Sequence, residues 1–421
     1  MGFPISFIHT ADLHLDSPFS VLSLNNPDLA NRLRSATFEA FEKVIQLCLE
    51  KRVDFLLVSG DIYDGADRGL RAQIKFRDGL KRLDEAGIRS FVVHGNHDPL
   101  NGWSSTLEWP ARVHLFRDHV ETVQIKRDGN LLACIQGISY PKRDERRNLS
   151  LFFKRTDPAF HIGLLHANVG SDTGHEPYAP CSIEDLLKTE MDYWALGHVH
   201  RKRVLSQNLP FILYPGNTQG RNTRETGEKG CYLVRVSEDK EMEIEFHATD
   251  MIRWITRDLT IQKLFTEQDL INALNKVCSD VSKSESGLPV ILRISLTGSG
   301  PLYESLKNPN MVSDLLEILQ EMGMSYSPFV WIEQIRLNVN PELDLASWMK
   351  EGDFIGELLR YSHEISENKH FEELARKELA PLFDDPRARR FIDFPNSDKL
   401  RNLLKEAEEI CAESLYSETD E

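Results

Sequence analysis

Short apolar runs recur along the first 250 residues and alternate with stretches of helical periodicity. Residues 55–58 form a continuous apolar run, which is typical of a parallel strand buried on both faces. Further short runs predict strands at residues 6–9, 90–94, 161–166, 193–197, 211–214 and 231–236. Apolar positions repeat at helical spacing over residues 33–49 and 74–83. This alternation predicts a layered α/β domain over residues 1–250.

The pattern changes after residue 250. Predicted strands at 254–261, 290–296 and 331–339 alternate with predicted helices at 267–281 and 312–322. Residues 251–340 are therefore expected to form a small α+β cap domain. Residues 341–421 are expected to be helical, with apolar stripes at 354–359 and 400–415. Such stripes pack either on their own domain or on a partner protein, and the pattern leaves both open.

Composition narrows the class of protein. The chain has 421 residues, enough for two or three domains, and 41% hydrophobic residues, as in ordinary globular proteins. No apolar run approaches the roughly 20 residues of a membrane helix, and the N-terminal apolar stretch is too short for a signal peptide. The six cysteines form no CxxC pair. We therefore expect a cytoplasmic protein with reduced thiols and no membrane contact.

The net charge is −16, which at first argues against a nucleic-acid ligand. Residues 341–421 hold 11 Lys and Arg and 21 Asp and Glu, a net charge of −10, so the first 340 residues carry only −6. Net charge affects solubility and steering but does not decide what a single cleft binds. DNA is therefore still a candidate ligand.

Polar motifs follow five of the predicted strands. They are Asp12-Leu13-His14, Gly60-Asp61-Ile62-Tyr63-Asp64, Gly95-Asn96-His97-Asp98, His166 and Gly197-His198-Val199-His200. The carboxyl ends of strands in open α/β sheets are where ligands bind. The Asp-x-His spacing places both side chains on one side of an extended segment. An isolated buried histidine is usually a core residue, but five motifs on successive strand ends indicate a common site.

The seven candidate ligands are Asp12, His14, Asp61, Asn96, His166, His198 and His200. Oxygen and imidazole donors without thiolate favour Mn, Fe, Zn or a similar divalent ion. Seven ligands are too many for one ion that must leave room for substrate, so they predict two ions that share Asp61. Two ions about 3.5–4 Å apart can clamp the attacking and leaving oxygens of a phosphoryl transfer.

In this order, DLH, GDIYD, GNHD, the single His166 and GHVH resemble the motifs of the calcineurin-type metallophosphoesterases. The opening ADLHLDSPF, the YPGN at 214–217 and the cap resemble SbcD-type DNA repair exonucleases of the YhaO-like branch. These are related to the double-strand-break repair nucleases of archaea and eukaryotes. The resemblance implies a two-sheet sandwich flanked by helices, followed by the cap and the C-terminal helices.

The resemblance also implies roles for individual residues. Metal one would take Asp12, His14, Asp61 and His200, and metal two would take Asp61, Asn96, His166 and His198. His97 would assist the departing oxygen. Asp98 would either orient the His97 imidazole or form the turn before Pro99. Asp64 would be a substrate-binding residue, because it stands where several relatives carry a histidine that positions the substrate.

Three basic clusters are candidates for contact with DNA phosphates. They are Arg201, Lys202 and Arg203; Arg221, Arg224 and Lys229; and Lys142, Arg143, Arg146 and Arg147. The first directly follows GHVH and is the preferred candidate, although each cluster is also consistent with a solvated loop. The resemblance further implies a homodimer and an SbcC-like coiled-coil ATPase bound through the C-terminal helices.

The function expected is a DNA exonuclease and endonuclease that uses two divalent ions, with manganese preferred. Two alternatives stay open: a phosphoesterase for small nucleotides or phosphoproteins, and a metal-free scaffold on the same fold. The scaffold is disfavoured because all seven ligands and His97 are present.

Overall fold

The computed structural model describes residues 5–17, 27–65, 69–102, 107–170, 176–285, 287–341, 345–350, 352–368, 370–383 and 394–419. Pro18 and Phe19 of the opening motif lie outside these ranges. The chain forms two compact units. One comprises residues 1–256, 278–293 and 320–333, and the other comprises 257–277, 294–319 and 334–421. The predicted domain boundaries at residues 250 and 340 stay a prediction.

The strands, in chain order, are β1 (Ile5–Thr10), β2 (Phe55–Ser59), β3 (Arg89–Val93), β4 (Val113–Leu115), β5 (Glu121–Arg127), β6 (Asn130–Ile138), β7 (Phe160–His166), β8 (Tyr193–Gly197), β9 (Arg203–Ser206), β10 (Phe211–Tyr214), β11 (Gly230–Val236), β12 (Met242–Ala248), β13 (Arg253–Thr260), β14 (Val290–Ser299) and β15 (Val330–Asn340). The helices are α1 (Pro27–Lys51), α2 (Leu70–Glu85), α3 (Ile183–Leu187), α4 (Glu267–Ser284), α5 (Tyr303–Leu306), α6 (Pro309–Ser325), α7 (Leu345–Trp348), α8 (Phe354–Glu367), α9 (Phe371–Phe383) and α10 (Ser397–Thr419).

Two six-stranded sheets form the first unit. Their strand orders are β12-β11-β1-β2-β3-β4 and β5-β6-β7-β8-β10-β9. The central strands of each sheet are parallel, with β1 beside β2 and β2 beside β3 in one, and β7 beside β8 in the other. Parallel neighbours bring their carboxyl ends to one edge of the sheet, so the polar motifs that follow them gather there.

The core between the two sheets is built from side chains that alternate along the strands. Phe55 of β2 stacks on Phe7 of β1 at 5.1 Å between ring centroids, and its edge meets Phe91 of β3 at 5.8 Å. Tyr193 of the second sheet packs edge-on against Phe7 at 5.2 Å. Leu56 and the other alternate residues face outward and pack against α1 and α2. This burial on both faces explains the continuous apolar run at 55–58.

A cluster of Cys134, Asp157 and His161 lies near the start of β7, away from the motif that ends it. The Cys134 thiol donates to Asp157 Oδ2 at 3.2 Å, and His161 Nε2 lies 3.1 Å from Asp157 Oδ1. The Ala159 N–H also donates to Asp157 Oδ1, at 2.9 Å. Each contact is an ordinary donor–acceptor pair, so this cluster ties the loop before β7 to the sheet.

The third sheet has the order β13-β14-β15 and alternates with α4 and α6, as the pattern after residue 250 predicts. The last part of the chain is helical, from α7 to α10. Among the described residues, no helix combines the length and the apolar character needed to cross a membrane.

Candidate metal centre

Both sheets contribute residues to one polar cluster. The loops after β1, β2 and β3 supply Asp12, His14, Asp61 and Asn96, whereas the second sheet supplies His166, His198 and His200. Six of these seven side chains are buried, with exposures from 0% to 4%, and His200 is half-buried. The structure therefore brings all seven predicted ligands to the same edge of the sandwich.

The backbone around the ligands is held in an unusual conformation. The N–H of Asp12 donates to Gly60 O and that of His14 donates to Asp61 O, each at 3.0 Å. Asp12, His14, Asp61 and His198 all have positive φ angles, of 50°, 43°, 50° and 102°. The expectation that Asp12–His14 is extended is therefore wrong. Such conformations are strained for residues other than glycine and are typical of functional sites.

Three motif glycines allow the ligands to crowd together. A Cβ atom at Gly60 would lie 2.5 Å from His166 Nδ1, and one at Gly95 would lie 2.7 Å from His166 Nε2. At Gly197 a Cβ would lie 2.9 Å from His166 Nδ1. The His166 imidazole is thus enclosed by three glycine backbones, which explains why three of the motifs carry a glycine before their ligand.

The donors assigned to metal one converge closely. Asp12, His14, Asp61 and His200 each offer an atom within 4.8 Å of the others. His14 Nε2 and His200 Nε2 face each other at 3.1 Å, and His14 Nε2 lies 3.9 Å from Asp61 Oδ2. Two imidazole nitrogens and two carboxylates at this spacing fit the donor set and the size of a divalent transition-metal ion.

The donors assigned to metal two converge on the amide oxygen of Asn96. His166 Nε2 lies 3.0 Å from Asn96 Oδ1 and 3.4 Å from Asp61 Oδ2. His198 Nδ1 lies 3.2 Å from the same Asn96 oxygen. Asp61 therefore lies next to both donor sets, as expected for a carboxylate that bridges two ions.

Charge in this cluster favours bound cations. Burial raises the pKa of Asp61, but the neighbouring histidines, His166 foremost, together outweigh burial and hold the pKa well below its usual range. Burial likewise lowers the pKa of His166, but Asp61 and Asp12 outweigh it and raise the pKa to about 9. Burial and the nearby Arg221 charge lower the pKa of His14 to about 3. His14 is therefore neutral at pH 7, the form that binds metal.

His97 lies at the rim of the cluster and is 31% exposed. Its Nδ1 lies 3.0 Å from the backbone oxygen of Asp64, and its ring packs edge-on against His14 at 4.9 Å. Asp98 is buried and its carboxylate accepts from Gly95 N–H at 2.8 Å and from Ile62 N–H at 2.9 Å. These bonds favour the turn-forming role for Asp98, and orientation of His97 by Asp98 stays a prediction.

Two residues near the ligands, Glu225 and Arg221, were not predicted for this site. Glu225 Oε1 lies 2.7 Å from His200 Nδ1. Arg221, predicted as a DNA contact, instead turns inward and forms ion pairs with Asp64 and Glu225. Asp64 Oδ1 lies 2.9 Å from His14 Nδ1, so it supports a ligand. The sequence analysis missed both residues at this site because neither of them ends a strand. The one signal in the sequence that could have indicated them is their position shortly after the YPGN turn.

The other basic residues differ in exposure. Arg201, Lys202 and Arg203 are exposed, and Lys202 pairs with Glu228 at 3.1 Å. Lys229 is buried and donates to the His200 backbone oxygen at 2.9 Å. The cluster after GHVH is therefore available to a polyanion, whereas Lys229 is not. Arg224 and the third predicted cluster, Lys142, Arg143, Arg146 and Arg147, are exposed as well.

Residues 5–202 match the calcineurin-like phosphoesterase family, and residues 254–340 match the middle domain of the metallophosphoesterase YhaO. The chain is 34% identical over 419 residues to the uncharacterized metallophosphoesterase YhaO of Bacillus subtilis (strain 168), with 98% of each chain covered. The chain belongs to the YhaO family of metallophosphoesterases. The family resemblance and the two-sheet fold predicted from the motifs are therefore confirmed. As a phosphoesterase, this YhaO-family chain is a hydrolase of phosphoester bonds.

More distant relatives of this YhaO-family chain are DNA double-strand break repair proteins Mre11. The protein from Sulfurisphaera tokodaii is 27% identical over 201 residues, which cover 47% of this chain and 49% of the relative. The protein from Methanocaldococcus jannaschii is 24% identical over 332 residues, which cover 75% and 83%. The predicted kinship with repair nucleases is thus confirmed as a similarity of sequence.

Proposed function

We propose that this chain is a DNA exonuclease, with endonuclease ability, that works in DNA repair and uses two divalent ions, preferably manganese. The observation that carries the proposal is the convergence of seven donor residues, with Asp61 among them, beside the partly exposed His97. The similarity to Mre11 supports DNA as the substrate class. Cytoplasmic location and a homodimer are part of the proposal.

Two sets of residues in this chain would hold the two ions. Asp12, His14, Asp61 and His200 would hold one ion, and Asp61, Asn96, His166 and His198 the other. Two bound divalent ions lower the pKa of a water molecule and neutralise charge on the phosphate oxygens. The Asp64 carbonyl accepts a hydrogen bond from His97 Nδ1, so the proton for the departing oxygen would come from Nε2 of His97 in its imidazolium form, which becomes neutral as the proton leaves.

One assay separates this function from the small-substrate alternative and from the metal-free scaffold. Purified protein is incubated with end-labelled linear DNA, p-nitrophenyl phosphate or bis-p-nitrophenyl phosphate, with and without manganese. We expect manganese-dependent shortening of the DNA and cleavage of the diester. Cleavage of the monoester alone would favour the small-substrate phosphoesterase, and no cleavage of any substrate would favour the scaffold.

Arg201, Lys202 and Arg203 are proposed to bind DNA phosphates. Binding of each phosphate by a cation releases counterions, so DNA affinity should fall steeply with salt. The triple alanine variant is expected to lower the slope of log affinity against log salt by about 1 for each phosphate that it no longer binds. Fluorescence anisotropy measures this slope, with exposed Lys81→Ala as the control. An unchanged slope in the triple variant would argue that the cluster is only solvated.

The C-terminal helices carry a second proposed interaction. An apolar groove of about 620 Å³ lies between α8, α9 and α10, and Tyr361, Leu374 and Leu403 on its wall are 64%, 41% and 43% exposed. We propose that it receives the SbcC-like coiled-coil ATPase. Leu403→Glu should abolish co-purification with the co-expressed ATPase and leave metal content unchanged. Leu151→Glu, which changes an exposed leucine of the first unit, is the control.

A further inference from the structure

We infer that the two metal positions bind their ions unequally, with the position served by His14 and His200 the tighter one. The cause is an ion-paired trio, Asp64, Arg221 and Glu225, whose two carboxylates lie beside those two histidines. This inference rests on the proposed dinuclear centre. The consequence is regulatory. The tighter position keeps its ion, whereas the weaker position fills only when the concentration of free metal is high enough. The rate of hydrolysis therefore depends on the concentration of free metal.

Carboxylates support the metal-one imidazoles. Glu225 Oε1 is hydrogen-bonded to His200 Nδ1 at 2.7 Å. Asp64 Oδ1 lies 2.9 Å from His14 Nδ1 as an ion-pair contact, and among the described residues His14 Nδ1 has no hydrogen-bond partner. In both histidines the opposite nitrogen, Nε2, points to the shared position, where the two atoms are 3.1 Å apart. A carboxylate beside the far nitrogen of a ligating histidine fixes the orientation of the ring and adds negative charge near the metal position, which strengthens metal binding.

Backbone carbonyls support the metal-two imidazoles instead. His166 Nδ1 lies 2.8 Å from Ser59 O, and His198 Nε2 lies 2.9 Å from Glu176 O. A carbonyl is neutral, so it orients the ring but adds less negative charge than a carboxylate. The remaining donor, Asn96, is also neutral. The metal-one set contains the carboxylates of Asp12 and Asp61, whereas the metal-two set has only Asp61.

Arg221 holds the two supporting carboxylates in place. Its guanidinium pairs with Asp64 and lies 3.3 Å from Glu225 Oε1, while its backbone N–H donates to Glu225 Oε2 at 2.8 Å. Its side chain is only 13% exposed. The planar guanidinium can bridge two carboxylates that would otherwise repel each other. Arg221 Nε is buried with no hydrogen-bond partner among the described residues. An unsatisfied buried donor of this kind lowers the stability of the folded protein.

Glu225 and Asp64 are positioning residues: each lies beside a histidine assigned to metal one, and each acts on metal through that histidine.

The test is a manganese titration of the full-length protein after chelator treatment, with free Mn²⁺ followed by electron paramagnetic resonance. We expect two classes of ion whose Kd values differ about tenfold or more. Glu225→Gln keeps the shape but removes the charge, and should weaken the tight class by about 10–100-fold and spare the weak class. Glu243→Gln removes an exposed partner of Arg235 and serves as the matched control. Asn96→Asp adds a carboxylate to the weaker position and should bring the two Kd values together.

Equal Kd values in the unchanged protein, or equal weakening of both classes by Glu225→Gln, would overturn the inference. If Glu225→Gln does not fold, as judged by circular dichroism, Asp64→Asn tests the same support through His14. Two unequal classes in a protein that leaves DNA intact would support the inference and refute the nuclease function. Equal classes in a protein that cleaves DNA would refute the inference alone.

Discussion

Asp61→Asn is expected to remove both metal binding and hydrolysis. Asp61 is the carboxylate common to both donor sets, with Oδ2 lying 3.4 Å from His166 Nε2 and 3.9 Å from His14 Nε2. Asparagine keeps the shape but not the charge, so neither ion retains its shared anionic ligand. Metal content measured by plasma mass spectrometry should fall from about two ions per chain to fewer than one.

The effect on activity should be equally large, with cleavage of labelled DNA reduced to background at every manganese concentration. Asp78→Asn is the control, because Asp78 is exposed and its ion pair within the described part of the chain is with its neighbour Arg77. Retained activity in purified Asp61→Asn protein would contradict a bridging role. A thermal melt alongside the metal assay separates loss of the ions from loss of the fold.

His97→Ala is expected to leave both ions in place and lower the rate of DNA cleavage by about 10²–10⁴-fold. The His97 ring contacts the Asp64 carbonyl and the His14 ring, and it stands at the exposed rim of the cluster. A side chain there can reach the leaving oxygen of a bound phosphodiester. Its removal should therefore affect proton transfer rather than metal binding.

A comparison of two substrates makes the His97→Ala test specific for proton donation. The nitrophenolate of bis-p-nitrophenyl phosphate leaves without protonation, so the defect of His97→Ala should be much smaller on this diester than on DNA. Exposed His119→Ala should behave like the unchanged protein on both. Loss of metal from His97→Ala would identify His97 as a ligand, and equal defects on both substrates would argue against a proton donor.

Much of the first unit was predictable because its central strands are buried on both faces. The runs at 55–58 and 193–197 are apolar throughout, and the motifs that follow them contain residue types that are rare together by chance. Parallel strands end at the same edge of a sheet, so motifs that each follow such a strand in the sequence lie together at that edge. The ligand set could therefore be predicted before any contact was known.

Most of the strands that the pattern missed lie at sheet edges, although β6, which lies between β5 and β7, was missed as well. β5 and β12, the outermost strands of their sheets, consist mainly of alternating half-buried and exposed residues and carry charged side chains. Such strands lack the continuous apolar run that identifies a central strand. The supporting trio was missed for a different reason. Asp64 and Arg221 are separated by 157 positions, and only the fold shows that they meet.

Because the oxygen ligands follow one sheet and most of the imidazoles follow the other, the centre cannot form on part of the chain. During synthesis, Asp12, Asp61 and Asn96 emerge long before His198, His200 and Glu225. A nascent chain that has not yet reached His166 holds the carboxylates of Asp12 and Asp61 without the three histidines of the second sheet. The proposed nuclease activity is thus withheld until the second sheet has closed over the first, which protects nearby nucleic acid from an unfinished enzyme.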